Sequence, residues 1–136
     1  MIRLLDTSVI VAALRRDALV RRRLRAASPD DIGIPSVAVA ELAYGAERSA
    51  DPARSGVVWR AFVEPFEVVP FDRAAAEAHG RLRFALRAQP IGERDLLIAA
   101  TAVAHGLAVA TANMREFARV PGLVVEEWPG GAPGPA

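Results

Sequence analysis

The feature that most constrains this chain is its alternation of very short apolar runs with longer stretches of helical periodicity. Ile2 to Leu5, Ile32 to Ile34, Glu67 to Val69, Leu107 to Ala110 and Leu123 to Glu126 each read as a short strand. The segments between them read as helices. Ser8 is placed to cap one through Leu14, and an arginine-rich helix covers Ala18 to Ala27. After the break at Ser28-Pro29-Asp30, Ser36 can accept from the free amides of a helix from Val37 to about Arg48. Asp51-Pro52 starts a helix that ends before Pro65, with proline at the first helical position. Asp72 caps a long helix to about Ala88, and Gln89-Pro90-Ile91-Gly92 is a loop. A helix from Glu93 to His105 ends on Gly106, the residue best suited to a left-handed terminator, and Met114 to Phe117 makes one further turn. Strands separated by helices specify an α/β fold with a mostly parallel sheet.

In such sheets a ligand site lies beyond the carboxyl ends of the strands, where the strand order switches. That rule singles out Asp6-Thr7-Ser8 after the first strand and Thr111-Ala112-Asn113 after the fourth. Asp6 taken alone is as readily a helix cap. Glu41 interrupts the nearly all-apolar stretch Val37 to Tyr44, so its carboxylate either reaches solvent or needs a cation or donors. Asp95 opens the apolar run Asp95 to Ala100, where an acid also suits the helix dipole. Together the three acids border or interrupt apolar segments. If they converge, a divalent cation offsets their repulsion. Oxygen ligands, with no cysteine in the chain and no paired histidines, favour Mg²⁺ or Mn²⁺ over Zn²⁺. Such a cluster suits phosphodiester hydrolysis. Ser8, Thr111 and Asn113 can supply neutral outer contacts, and Glu116 is near enough in sequence to join them or to sit on a solvated turn.

Composition excludes several alternatives. The 136 residues suit one domain, expected to run from 1 to 128, followed by a disordered Pro/Gly-rich tail from 129 to 136. No apolar run reaches the ~18–20 residues of a membrane span, and an acid interrupts the apolar start at once, so a cytoplasmic location is expected. All 17 basic residues are arginine. The lack of lysine removes a Walker A loop, a Schiff base and the lysine of phospho-acceptor receiver domains. It also disfavours a haloacid-dehalogenase-like phosphatase, as does Ser8 where a second acid belongs. The net charge of +1 gives no general field for nucleic acid. Locally, Arg21, Arg22, Arg23 and Arg25 can contact RNA phosphates, although a solvated helix face explains them as well. His79 and His105 are isolated and read as structural. Trp59, Phe62, Phe66, Phe71, Phe84 and Phe117 sit at core-like positions, and Trp128 is placed to cover the core edge.

Several segments resemble a known family: Leu5-Asp6-Thr7-Ser8-Val9, Ala40-Glu41-Leu42-Ala43-Tyr44-Gly45, Pro70-Phe71-Asp72, Ile91 to Ala100, Thr111 to Phe117, Val120-Pro121-Gly122-Leu123 and Trp128. In this order and at these separations they resemble the PIN-domain ribonucleases, above all the VapC-type toxins of bacterial toxin–antitoxin pairs. The resemblance implies a PIN-like three-layer fold with a mostly parallel, about five-stranded central sheet flanked by helices. It implies a Mg²⁺- or Mn²⁺-dependent endoribonuclease acting on RNA, of which transfer and ribosomal RNA are examples. It also implies inhibition by a VapB-type antitoxin, whose tail can place a basic side chain among the acids. By position, Asp6 and Asp95 look like the principal metal ligands and Glu41 like the third acid. The fourth acid often found in the family is Asn113 here, which adds no charge; Glu116 is the candidate to compensate. A homodimer is also implied, with Tyr44 and its helix as one candidate face. The alternative is a PIN-like binding or scaffold domain without catalysis, which loss of acids would signal; the three main acids are present.

Overall fold

The short apolar runs become the strands of a single sheet, and the periodic segments become the helices that cover it. The structure is a computed structural model that describes residues 1–128; the expected tail, 129–136, lies outside the described residues. The order is β1 (Arg3–Leu5), α1 (Thr7–Leu14), α2 (Ala18–Ala26), a 3₁₀ turn (Pro29–Asp31), β2 (Ile32–Pro35), α3 (Ser36–Glu47) and α4 (Pro52–Val63). It continues with β3 (Glu67–Val69), α5 (Arg73–Ala85), α6 (Glu93–His105), β4 (Ala108–Thr111), α7 (Met114–Phe117) and β5 (Val125–Glu127). All strands are parallel, in the order β3-β2-β1-β4-β5. The chain therefore builds outward from β1 in one direction, then returns to lay β4 on its other side. The switch in strand order falls between β1 and β4, where Leu5 is paired with Ala110.

Alternation along the strands creates two cores. Leu4 and Val109 point to one face, where Leu82, Ile91, Leu96 and Ile98 pack. Leu5 and Ala110 point to the other, against Val9, Ile10, Ala38 and Leu42. A sheet buried on both faces needs runs that are apolar throughout, and β2 and β4 are buried at every position. Among the described residues no helix is long and apolar enough to cross a membrane.

Several local expectations are corrected. Helix α1 begins at Thr7, so the cap position is Asp6 and not Ser8. Helix α3 begins at Ser36 after Pro35; the Ser36 hydroxyl accepts from the Phe71 amide, 3.0 Å away, and caps nothing. Helix α5 stops at Ala85, not near Ala88, because the chain turns to bring both Leu86 and Ile91 into the core. Phe84 is 62% exposed and is no core residue. The buried stripe of α5 is Ala75, Ala78 and Leu82, and Phe84 lies off it, covered by the Arg87 guanidinium 3.9 Å from its ring centre. Trp128 is buried as expected, its amide bonded to the Thr111 carbonyl. Gly106 adopts φ 67°, the left-handed conformation expected of it. His79 pairs with Glu93 and His105 with Asp72.

Gly33 in β2 has no room for a side chain. A Cβ there would lie 2.9 Å from Val69 Cγ2 and 3.0 Å from Leu4 Cδ2, both in the core. Gly33→Ala is expected to lower stability by about 1–3 kcal/mol through overpacking. Urea denaturation tests this; an unchanged midpoint would mean that β2 can shift freely.

Candidate active site

Asp6 emerges from β1 at the switch in strand order, with its amide bonded to the Ala110 carbonyl at 2.9 Å. It occupies the cap position of α1, yet its carboxylate makes no capping bond. One carboxylate oxygen, Oδ2, accepts from the Ser8 hydroxyl at 2.7 Å and from the Thr111 hydroxyl at 2.8 Å. Those hydroxyls are held in turn, Thr111 by the Asn113 amide at 2.8 Å and Ser8 by the Ala112 amide at 3.4 Å. Asp6 is only 3% exposed. It is thus oriented through Oδ2, while no donor among the described residues reaches Oδ1.

Asp95 comes from the first turn of α6, whose start is fixed by the Gly92 cap. With Asp6, Ser8 and Asn113 it lines a cavity of about 250 Å³. The Asn113 side-chain amide donates to Asp95 Oδ2 at 3.3 Å. Burial raises the Asp95 carboxyl to about 7, helped by a hydrogen bond with Glu116 and the negative charge of Asp6; Arg94 opposes them. The same bond to Asp95, then the Gly92 amide, hold Glu116 below its ordinary value. The two carboxyls thus titrate in opposite directions, Asp95 upward and Glu116 downward. Gly92 leaves the approach open: a Cβ there would stand 3.6 Å from Glu116 Oε2 and 3.7 Å from Asp95 Oδ2.

Glu41 does not line this cavity. It lines a neighbouring groove and accepts a 2.6 Å ion pair from Arg94. The structure thus brings together Asp6, Ser8, Asp95, Thr111, Asn113 and Glu116, and ties Glu41 to them through Arg94. The arginines of α2 line neither cavity. Arg21 donates to the Ala13 carbonyl, and Arg23 reaches the Glu127 carbonyl with its guanidinium 4.9 Å from the Trp128 ring centre.

The donor set suits a hard divalent cation: among the described residues Asp6 Oδ1 has no donor, burial and neighbouring acids raise the Asp95 carboxyl, and Ser8, Thr111 and Asn113 are neutral, with Arg94 the one cation lining the cavity. Among the described residues no three acidic or histidine side chains already form a complete cage. The site is two acids with Glu116 at its edge.

A PIN domain family model matches residues 3–123. The chain is also 39% identical over 128 residues to the tRNA(fMet)-specific endonuclease VapC of Shigella flexneri, covering 92% of this chain and 96% of that one. The chain belongs to the VapC-type PIN-domain ribonucleases. The structure of DNA-bound VapBC from Salmonella typhimurium superposes on this PIN domain with a TM-score of 0.89 at 34% identity, covering 94% of this chain and 98% of that one. VapBC2 from Rickettsia felis, bound to a promoter DNA fragment, gives 0.89 at 31% identity over 95% and 100% of the two chains.

One residue of this PIN domain's site, Arg94, was not singled out in the sequence. Arg94 had a signal: a cation in the first turn of a helix sits against the positive end of the dipole and needs another reason to be there. Thr7, named in the sequence only as part of Asp6-Thr7-Ser8, borders both cavities, and its buried hydroxyl has no partner among the described residues. Since an unpaired buried hydroxyl costs about 1–3 kcal/mol, the near-isosteric Thr7→Val is expected to hold or raise the melting temperature. A marked fall would show that the hydroxyl is satisfied in solution.

Proposed function

We propose that this VapC-type chain is a Mg²⁺- or Mn²⁺-dependent endoribonuclease, the toxin of a type II pair restrained by a VapB-type antitoxin. The observation that carries the reading is the pairing of Asp6 and Asp95 across one cavity at the switch in strand order, where each acid's charge raises the cost of the other's. Asp6, through Oδ1, and Asp95 would hold the cation. When bound, it supplies an activated water and neutralises charge on the phosphate. The chain's own residues do the positioning. Ser8 and Thr111 fix the Asp6 carboxylate, Asn113 orients Asp95, and Glu116 keeps acceptor capacity at the edge of the site. Glu41 is the third acid, standing by at the mouth and held by Arg94.

The name of the Shigella relative supports a structured RNA, transfer RNA included, as the substrate class. The neighbouring structures are toxin–antitoxin complexes, which supports an antitoxin partner, and a basic antitoxin side chain placed between Asp6 and Asp95 would compete with the cation. For a second copy, Tyr44 offers a face: it is 62% exposed, with the Arg48 guanidinium 5.0 Å from its ring centre.

The purified chain is expected to cut transfer RNA in Mg²⁺ or Mn²⁺, to stop in excess chelator, and to resume when Mn²⁺ is restored. Cutting that persists in chelator would overturn the metal-dependent reading. Expression alone is expected to arrest growth, and co-expression of the cognate antitoxin to relieve it.

A further inference from the structure

The acidic cavity opens onto a larger groove of about 660 Å³, and Thr7 and Arg94 line both. Four arginines line that groove: Arg15 just past α1, Arg48 just past α3, Arg54 in α4 and Arg94 in α6. Among the described residues the only acid lining it is Glu41, and Val11, Leu14, Leu42, Val58 and Trp59 give it an apolar wall between the charges. Among the described residues, Arg15, Arg48 and Arg54 pair with no carboxylate; Arg48 rests on the Tyr44 ring, 5.0 Å from its centre. Cations far apart in sequence and gathered into one cleft repel one another, and in a chain of net charge +1 they make a local field that favours an anionic ligand.

We infer that the RNA strand leaves the acidic cavity over Arg94 and lies in this groove, its phosphates taken by Arg15, Arg48 and Arg54. The inference rests on the ribonuclease reading above. Phosphodiesters match the groove's charge and are the groups that guanidinium forks bind best. Arg94 has a specific part. It is 70% exposed and bonded to Glu41 at 2.6 Å, so it can exchange that carboxylate for a phosphate oxygen without burying new charge. The exchange also releases Glu41 beside the acidic cavity. The arginine-rich helix α2, the obvious RNA-binding candidate in the sequence, has two of its four arginines engaged with backbone carbonyls and borders neither cavity. It is a surface helix.

The test is fluorescence anisotropy of a labelled single-stranded oligoribonucleotide with the full chain in chelator, where nothing is cut. The double variant Arg15→Gln/Arg54→Gln is expected to bind about tenfold more weakly and to lower the dependence of log Kd on log salt by about 1.4, roughly 0.7 for each lost phosphate contact. Lysine at the same two positions is expected to restore most of both, which separates charge from folding. Glu41→Gln, which frees Arg94, is expected to tighten binding several-fold, an effect that loss of a merely structural ion pair would not produce. Arg22→Gln/Arg25→Gln is expected to change nothing. If the α2 pair weakens binding and the groove pair does not, the strand runs over α2 and the inference is wrong. If neither pair matters while the parent chain still cuts RNA in Mn²⁺, the strand does not lie in the groove and the inference is equally wrong. If the parent neither binds nor cuts RNA, the ribonuclease reading has failed.

Discussion

Asp95→Asn is expected to abolish RNA cleavage and, in the same protein, to stabilise the metal-free fold above neutral pH. The loss should be on the order of 10³-fold or more, since a catalytic cation contributes several kcal/mol to the transition state and its ligand would be gone. The gain follows from linkage. The Asp95 carboxyl is raised from 3.8 to about 7 in the folded chain, so between those values the folded state holds a proton that the unfolded state has released. Stability is therefore greatest below the lower value, falls as pH rises through the interval, and carries the full penalty above about 7. Asparagine never ionises and escapes that penalty. Melting curves in chelator should show Asp95→Asn above the parent at pH 8 and close to it at pH 4. If the variant melts lower at pH 8, the carboxylate is not under electrostatic stress. Asp6→Asn should be as inactive.

Metal binding is the second large effect, and it is expected to expel a proton. Below about pH 7 a cation at Asp95 must displace the proton on its carboxyl, so affinity for Mn²⁺ should fall by about tenfold for each unit of pH lost. Above pH 7 the dependence should flatten. Titration calorimetry in buffers of different ionisation enthalpy measures the released proton directly. Glu116→Gln removes an acid that raises the Asp95 carboxyl, so it should move the onset of the dependence to lower pH. Proton release that is absent at pH 6 would show that the cation binds elsewhere.

Both expectations depend on features that no linear reading could supply. That Asp95 follows a loop and opens an apolar helix was legible, and so was its possible union with Asp6, because the carboxyl end of β1 is a predictable place for a site. The raised Asp95 carboxyl was not legible, since it arises from burial in the folded chain and from Glu116 folding back against it from α7. Glu41 shows the limit more sharply. Its place in an apolar helix marked it as unusual, but sequence could not reveal that its immediate neighbour is Arg94, 53 positions away. Phe84 failed for a simpler reason: hydrophobic character suggests burial, but the face a residue occupies on its helix decides it.

What the sequence determined by itself was the alternation of short buried strands and helices, the α/β class that alternation requires, and the short-range signals that position Asp6 and Asp95. These depend on periodicity, capping and burial, which act over a few residues. The strand order, by contrast, was decided only by the tertiary structure. Laying β4 beside β1 puts Thr111 against Asp6 and brings Asp95 across from both, while the packing of α1, α3 and α4 gathers Arg15, Arg48 and Arg54 in the neighbouring groove. Electrostatic coupling depends on distance in space, and the fold, not the spacing along the chain, sets that distance.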